Sequence, residues 1–247
     1  MVVECWYNIS LPKDAFAESY VEDKVLVVPH GRKSWYESAV GWKEFGIITE
    51  SDDEAIIIRG AVDLGLSVKW ATCNVGAEKP EDQGQYYAWG ETDEKTDYSW
   101  GTYKWCNGSD VTLTKYNSDS NYGIVDNKTM IDLEDDVAHV KWGGDWRMPT
   151  QEEFLELKSC TWIWTTVNGV NGYLVTSKKT GYTKRCIFIP ASGYYSDSSL
   201  SDFGALGFYW TNYVHSRQPT CFRFGPSFRQ LYGVYRCRGY SVRPVCP

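Results

Sequence analysis

Histidine is nearly absent: the chain has three, His30, His139 and His215. They stand far apart, and a lone histidine is more often structural than a metal ligand. No HExxH, GxSxG or glycine-rich phosphate-loop pattern occurs, so the commonest hydrolytic and nucleotide-binding chemistries have no signature here. None of the eight cysteines (Cys5, Cys73, Cys106, Cys160, Cys186, Cys221, Cys237, Cys246) forms a CxxC pair, and neither a zinc ribbon nor a thioredoxin motif is expected. Their even number permits disulfides outside the cell. Their spacing defines no framework, and buried free thiols fit equally well. No run approaches the ~20 apolar residues of a spanning helix, and no membrane insertion is expected. The opening MVVECWYNIS is too short and too polar for a signal peptide; a leader or a further segment is expected before Met1.

Charge is unevenly spread. The net charge is −7 and the pI about 5.1, and there is no lysine-rich run. A nucleic-acid partner is therefore not expected. After Asp202 there is no Asp, Glu or Lys at all, while six arginines remain: Arg217, Arg223, Arg229, Arg236, Arg238 and Arg243. An acidic body with an arginine-only tail predicts one polarised face.

Aromatic rings are abundant, with 12 Trp and 18 Tyr against 9 Phe. Large rings fill cores, and Trp and Tyr are also enriched where surfaces bind. Many short strand-like runs alternate with turns, for example residues 86–89, 172–175, 186–190, 208–210 and 240–243. Helices are few. One is predicted over 130–141. A second starts at Thr150, where Glu153 completes a capping box and Phe154, Leu155 and Leu157 form an apolar face. Pro149 keeps its predecessor extended. Trp146 is expected to anchor a strand end in the core, and Arg147 to pair with an acid. The fold class is α+β: a loop-rich mixed sheet with two helices.

Residues 1–54 read as a separate small unit. Val25-Leu26-Val27-Val28-Pro29 is a buried strand stopped by proline. His30-Gly31 makes a turn, Ser34 caps a short helix through Glu37, and Gly41 ends it. Asp14-Ala15-Phe16, the strand with His30-Gly31-Arg32-Lys33, Tyr36, and Gly41-Trp42-Lys43-Glu44-Phe45 with Ile48 resemble the final repeat and cap of BspA-like leucine-rich repeat proteins. One repeat cannot bury its own face, so such caps normally close a stack. Ser51-Asp52-Asp53-Glu54 is a hinge, and Ala55-Ile56-Ile57-Ile58 opens the second unit, residues 55–247, as a strand.

From residue 61 onward the chain resembles the Fibrobacter succinogenes major paralogous domain family, common in gut Bacteroidetes surface proteins. The blocks that carry the resemblance are Val62-Asp63-Leu64-Gly65-Leu66-Ser67-Val68-Lys69-Trp70-Ala71-Thr72-Cys73-Asn74-Val75-Gly76-Ala77, Gly84-Gln85-Tyr86-Tyr87-Ala88-Trp89-Gly90-Glu91 and Trp146-Arg147-Met148-Pro149-Thr150-Gln151-Glu152-Glu153-Phe154. They continue with Phe188-Ile189-Pro190-Ala191-Ser192-Gly193-Tyr194, Gly207-Phe208-Tyr209-Trp210-Thr211 and Gly239-Tyr240-Ser241-Val242-Arg243-Pro244-Val245. The family is similar to C-type-lectin-like and formylglycine-generating-enzyme-like folds. The resemblance implies an extracellular or cell-surface, non-enzymatic binding or adhesion protein, with a phage particle as the alternative location. Calcium-binding lectins of this fold carry Glu-Pro-Asn, Gln-Pro-Asp or Trp-Asn-Asp triplets. Gln218-Pro219-Thr220 and Trp210-Thr211-Asn212 do not match. Asp132, Glu134, Asp135 and Asp136 offer oxygen ligands but read first as a solvated helix face. No catalytic residue, no cofactor and no required metal are expected.

The segment 212–238 departs most from that family. It carries Tyr213, His215, Arg217, Arg223, Phe228, Arg229, Tyr232, Tyr235, Arg236 and Arg238, a set rich in the residue types of binding hot spots. These ten are the candidate ligand-binding residues, and substituting Arg223, Arg229 and Arg236 by Ala is expected to abolish binding without unfolding. The partner expected is a protein or an anionic glycan on another cell or host, bound by a monomer. The segment also resembles the variable region of diversity-generating-retroelement proteins, whose adenine-directed mutagenesis never yields Lys, Glu or Trp; none follows Trp210. Two other readings remain: a structural stalk domain of a surface adhesin, whose Tyr/Arg face would be covered, and an oxidase-like enzyme using Cys221 or Cys237, where neighbouring arginines would lower a thiol pKa.

Overall fold

The computed structural model describes residues 2–4, 9–10, 25–29, 33–44, 47–51 and 60–247. The expectations for Asp14-Ala15-Phe16, the His30-Gly31 turn, Phe45, and the strand at 55–58 with its boundary lie outside them. In the N-terminal segment, β1 (Val2–Glu4), β3 (Val25–Pro29) and β4 (Ile47–Ser51) pair in parallel in the order β1-β3-β4, while β2 (Ile9–Ser10) pairs elsewhere. Helix α1 spans Lys33–Ser38. It therefore encloses Ser34, which does not cap it. Gly41 follows at φ 83°, a left-handed conformation that glycine adopts without strain. Val28, Tyr36 and Trp42 are buried, and the Tyr36 ring meets Trp42 edge-on at 5.5 Å.

Residues 60–247 are sheet-rich with few helices. Strands β5 (Ala61–Val62) and β6 (Lys69–Ala71) pair antiparallel. Helix α2 covers only Val137–Trp142, so the first seven of the twelve positions predicted over 130–141 lie outside it. The Asp136 carboxylate stops it from starting earlier: it accepts from the amides of Ala138 and His139 at the helix start and from Met148 N at 2.8 Å. Helix α3 (Gln151–Leu157) has the predicted capping box, with Thr150 Oγ1 accepting from Glu153 N and Glu153 Oε2 accepting from Thr150 N. Phe154 and Leu157, one turn apart, are buried, but Leu155 is half exposed because it lies on the other side of the helix. Arg147 holds the Glu153 carboxylate with both terminal nitrogens. Trp146 packs edge-on against Trp142 at 4.9 Å, half-buried and outside the core.

Strands β7 (Thr161–Val167), β8 (Val170–Thr176) and β9 (Cys186–Pro190) continue as an antiparallel meander, with β2 on the outer edge of β7. The small hairpin β10 (Tyr194–Ser196) and β11 (Ser199–Ser201) follows. Next come β12 (Gly207–His215), β13 (Gln218–Gly225) and β14 (Phe228–Gly233), a three-stranded antiparallel sheet. The last strand, β15 (Val245–Cys246), pairs with β6 near the start of this region.

In the β12–β14 sheet most of β12 and of β13 is buried on both faces, while β14 has no fully buried residue. Tyr209, Phe222 and Phe224 point to one side, where Phe222 stacks on Phe154 at 4.7 Å. Phe208, Trp210 and Cys221 point to the other, against Tyr87, Trp89 and Tyr240. The runs at 86–89 and 240–243 are not strands. Isolated bridges join Tyr87 to Tyr240 and Tyr209 to Ser241, and the rings are buried within loops.

Candidate functional site

Arg223 lies on β13, opposite Phe208 of β12 and Gln230 of β14. Its guanidinium sits 3.8 Å from the Tyr232 ring centre and 5.7 Å from that of Phe228, within cation–π reach. With its amide oxygen turned to the arginine, Gln230 accepts from Arg223 Nε at 3.0 Å and Nη2 at 2.6 Å. Beyond β14, the bridges Tyr195–Gly239 and Tyr87–Tyr240 bring the chain back beside the sheet. There the Arg238 guanidinium lies 5.3 Å from the Tyr194 ring and 5.8 Å from the Tyr235 ring. Gly193, at φ 63°, makes the tight corner before Tyr194; a Cβ there would lie 2.3 Å from Ser201 O, so only glycine fits.

Between the two arginines lies an open cleft of about 380 Å³, lined by Tyr194, Asp202, Arg223, Tyr232, Tyr235 and Arg238 among others. Tyr232 and Tyr235 are exposed. Among the described residues, neither Arg223 nor Arg238 has a carboxylate at ion-pair distance, unlike Arg147, Arg185 and Arg217. Two guanidinium groups with no carboxylate at ion-pair distance among the described residues, beside a small aromatic-walled space, can bind an anionic group through charge-assisted bonds.

The ten predicted residues thus divide. Arg223, Tyr232, Tyr235 and Arg238 share the cleft, and Phe228 stands behind Arg223. His215 is exposed at the β12–β13 turn. Tyr213 is half-buried and bridged to Met130. Arg217 is engaged with Asp110 at 2.9 Å and with the Tyr122 ring at 4.4 Å. Arg229 points to the opposite side of the sheet, over the rings of Trp162 and Tyr173. Arg236 is fully buried and cannot meet a ligand. It donates to four backbone carbonyls, those of Arg217, Lys115, Tyr116 and Ser216, at 2.7–3.0 Å. Its removal would strip partners from buried oxygens, so the expectation that it can be replaced without harm to folding is corrected. Tyr194 and Asp202 were not among the predicted residues. Asp202 had a signal of its own, as the last acid before an acid-free stretch; Tyr194 had none, since its block reads as scaffold.

Other candidate chemistry resolves differently. Cys73, Cys106, Cys160, Cys221, Cys237 and Cys246 are free thiols. Burial pushes the thiols of Cys221 and Cys237 up, that of Cys237 to about 12, the reverse of an activated nucleophile. The carboxylates of Asp132, Glu134 and Asp135 converge, but the Lys115 ammonium lies among them at 2.8, 3.3 and 2.6 Å. Its hydrogen bond, with that of Lys128, holds Asp132 down at about 2. Asp136 turns away to cap α2. No helix among the described residues is long and apolar enough to cross a membrane. Comparison of the chain with family models, curated proteins and solved structures gives no match.

Proposed function

We propose that this chain is a non-enzymatic ligand-binding module of an extracellular or cell-surface protein, with a C-type-lectin-like domain that presents its C-terminal cleft to a ligand bearing an anionic group. The observation that carries the reading is the convergence on one tyrosine-lined cleft of Arg223 and Arg238, which have no carboxylate at ion-pair distance among the described residues. The sheet-rich, helix-poor region 60–247 supports the lectin-like assignment. So do the sequence blocks, whose Trp70, Trp89 and Trp210 are buried in the two cores. The parallel β1-β3-β4 pairing supports the reading of the N-terminal segment as a repeat cap.

The test is binding of the purified chain to a glycan array and to an acidic-peptide array, with and without EDTA. Binding that survives EDTA is expected. The Arg223→Gln and Arg238→Gln double variant should weaken it at least about a hundredfold, since a hydrogen bond to a charged group contributes about 1.5–3 kcal/mol. Its melting temperature should stay within a few degrees. Undiminished binding by that variant would overturn the proposal.

A further inference from the structure

Resting on that reading, we infer that the cleft takes an acidic pyranose: one sugar ring carrying a single carboxylate or sulfate, displayed on an otherwise neutral glycan. Three observations narrow the ligand this far. The first is size. About 380 Å³ lies near the lower end of the ~300–1,000 Å³ range of small-molecule sites. The cleft suits one or two rings, not the track of a polymer backbone.

The second is the mixed polarity of the wall. Arg223 and Arg238 bring donors for an anion to the cleft, but Asp202, an acid, and Gln218, an amide, stand among its lining residues as well. A carboxylate beside an anion site repels a second negative charge and accepts hydrogen bonds from neutral hydroxyls. A sugar with one acidic group and several hydroxyls satisfies both. A peptide patch dense in acids does not. Asp202 is held in a left-handed turn at φ 55°, with its carbonyl accepting from the amides of Ala205 and Leu206, so the residue occupies a fixed place at the lip.

The third is the division of labour between the arginines. With its amide oxygen turned to the arginine, Gln230 takes the Nε–H and one N–H of Nη2 of Arg223, which fixes that guanidinium on the Tyr232 ring. Arg238, held only between the rings of Tyr194 and Tyr235 among the described residues, keeps all its donors for a ligand. The exposed rings of Tyr232 and Tyr235 offer flat apolar faces to the C–H side of a pyranose. The net charge of −7 opposes a polyanion, whereas a single charge enclosed by two guanidinium groups is favoured locally.

The test is a set of NMR titrations of the full chain that follow the ring signals of Tyr232 and Tyr235 and the Nε–H signal of Arg238. The probes are methyl β-glucuronoside, methyl β-galactoside 6-sulfate, neutral methyl β-galactoside, N-acetylglutamate amide and inorganic sulfate. At least one acidic sugar is expected to saturate these shifts, with a Kd at least about tenfold below those of the neutral sugar and the peptide amide; which one does so separates a carboxylate source from a sulfate source. Arg238→Gln should weaken it about tenfold or more. Asp202→Asn should weaken the acidic sugar several-fold while inorganic sulfate binds equally or more tightly, an opposition that general damage to the cleft would not produce. A peptide amide, or a neutral sugar, that binds as tightly as the acidic sugars would overturn the sugar assignment and leave the cleft as a binding site. If no probe moves a cleft signal, the assignment and the reading beneath it both fall.

Discussion

Arg236 and Arg238 stand two positions apart and have opposite roles. Arg238 faces open space between two rings. Arg236 places its guanidinium among four carbonyl oxygens, two of them from Lys115 and Tyr116, where Tyr116 takes φ 61°. The residue therefore ties the loop at 115–116 to the β12–β13 turn. Replacing it by methionine keeps the bulk and removes every donor. Leaving four buried or partly buried acceptors without this donor costs about 3 kcal/mol or more. For a chain of this size that predicts a fall in melting temperature of roughly 6–12 °C. Arg238→Met should stay within about 0.5 kcal/mol of the parent, as surface substitutions generally do. Thermal melts of the two variants decide it: equal losses would show that Arg236 is no more structural than its neighbour.

At the scale of elements, Asp136 governs where α2 begins. One oxygen caps the helix while the other accepts from Met148 N across the loop. Asparagine can cap as well as aspartate but has only one acceptor oxygen, so Asp136→Asn must abandon one of the two tasks. A loss of about 1–2 kcal/mol is expected, with a larger loss for Asp136→Ala; denaturant titration measures both, and an unchanged midpoint for Asn would deny the second task. Local rules of this kind were the most legible part of the fold. The capping box at Thr150 stands where the residues place it, since hydrogen bonds within a few positions define it, and the strand over Cys186–Pro190 does so because its apolar run, closed by proline, pairs with the neighbouring strand β8. The runs at 86–89 and 240–243 misread as strands because an aromatic run buried in loops has the same composition as one buried in a sheet. Single bridges between distant residues hold them. The cleft was half legible. Composition marked the arginines and tyrosines, but β14 carries large apolar residues on both sides, Phe228 and Tyr232 on one and Leu231 on the other, so no alternation of polar and apolar residues told Arg223 from Arg229. Tyr194 and Asp202 arrive from distant parts of the chain through the β10–β11 hairpin and the turn after it, a juxtaposition that no local pattern records.

Over the whole molecule, the acid-free tail does not make a uniformly basic face. Of its six arginines, Arg236 and Arg243 are buried, Arg217 is paired, and Arg229 lies over two rings on the opposite side. Only Arg223 and Arg238 remain, in one cleft. This sorting makes a definite prediction for the proposed diversification of residues 212–238. A binding face can vary only where side chains reach solvent, because buried core positions lose stability with almost any exchange. His215, Gln218, Ser227, Gln230, Tyr232, Tyr235 and Arg238 are accessible, and with Arg223 they form the set free to change. Cys221, Phe222 and Phe224 interlock the two cores, and Arg236 ties the loops; all four are buried. Sequencing this segment across related isolates should therefore find substitutions concentrated in the first set, drawn from residue types other than Lys, Glu and Trp, with the second set constant. Uniform codons throughout 212–238 would remove diversification from the account while leaving the cleft as a fixed site. Substitutions spread evenly over both sets would contradict the packing itself, since no single scaffold could carry them.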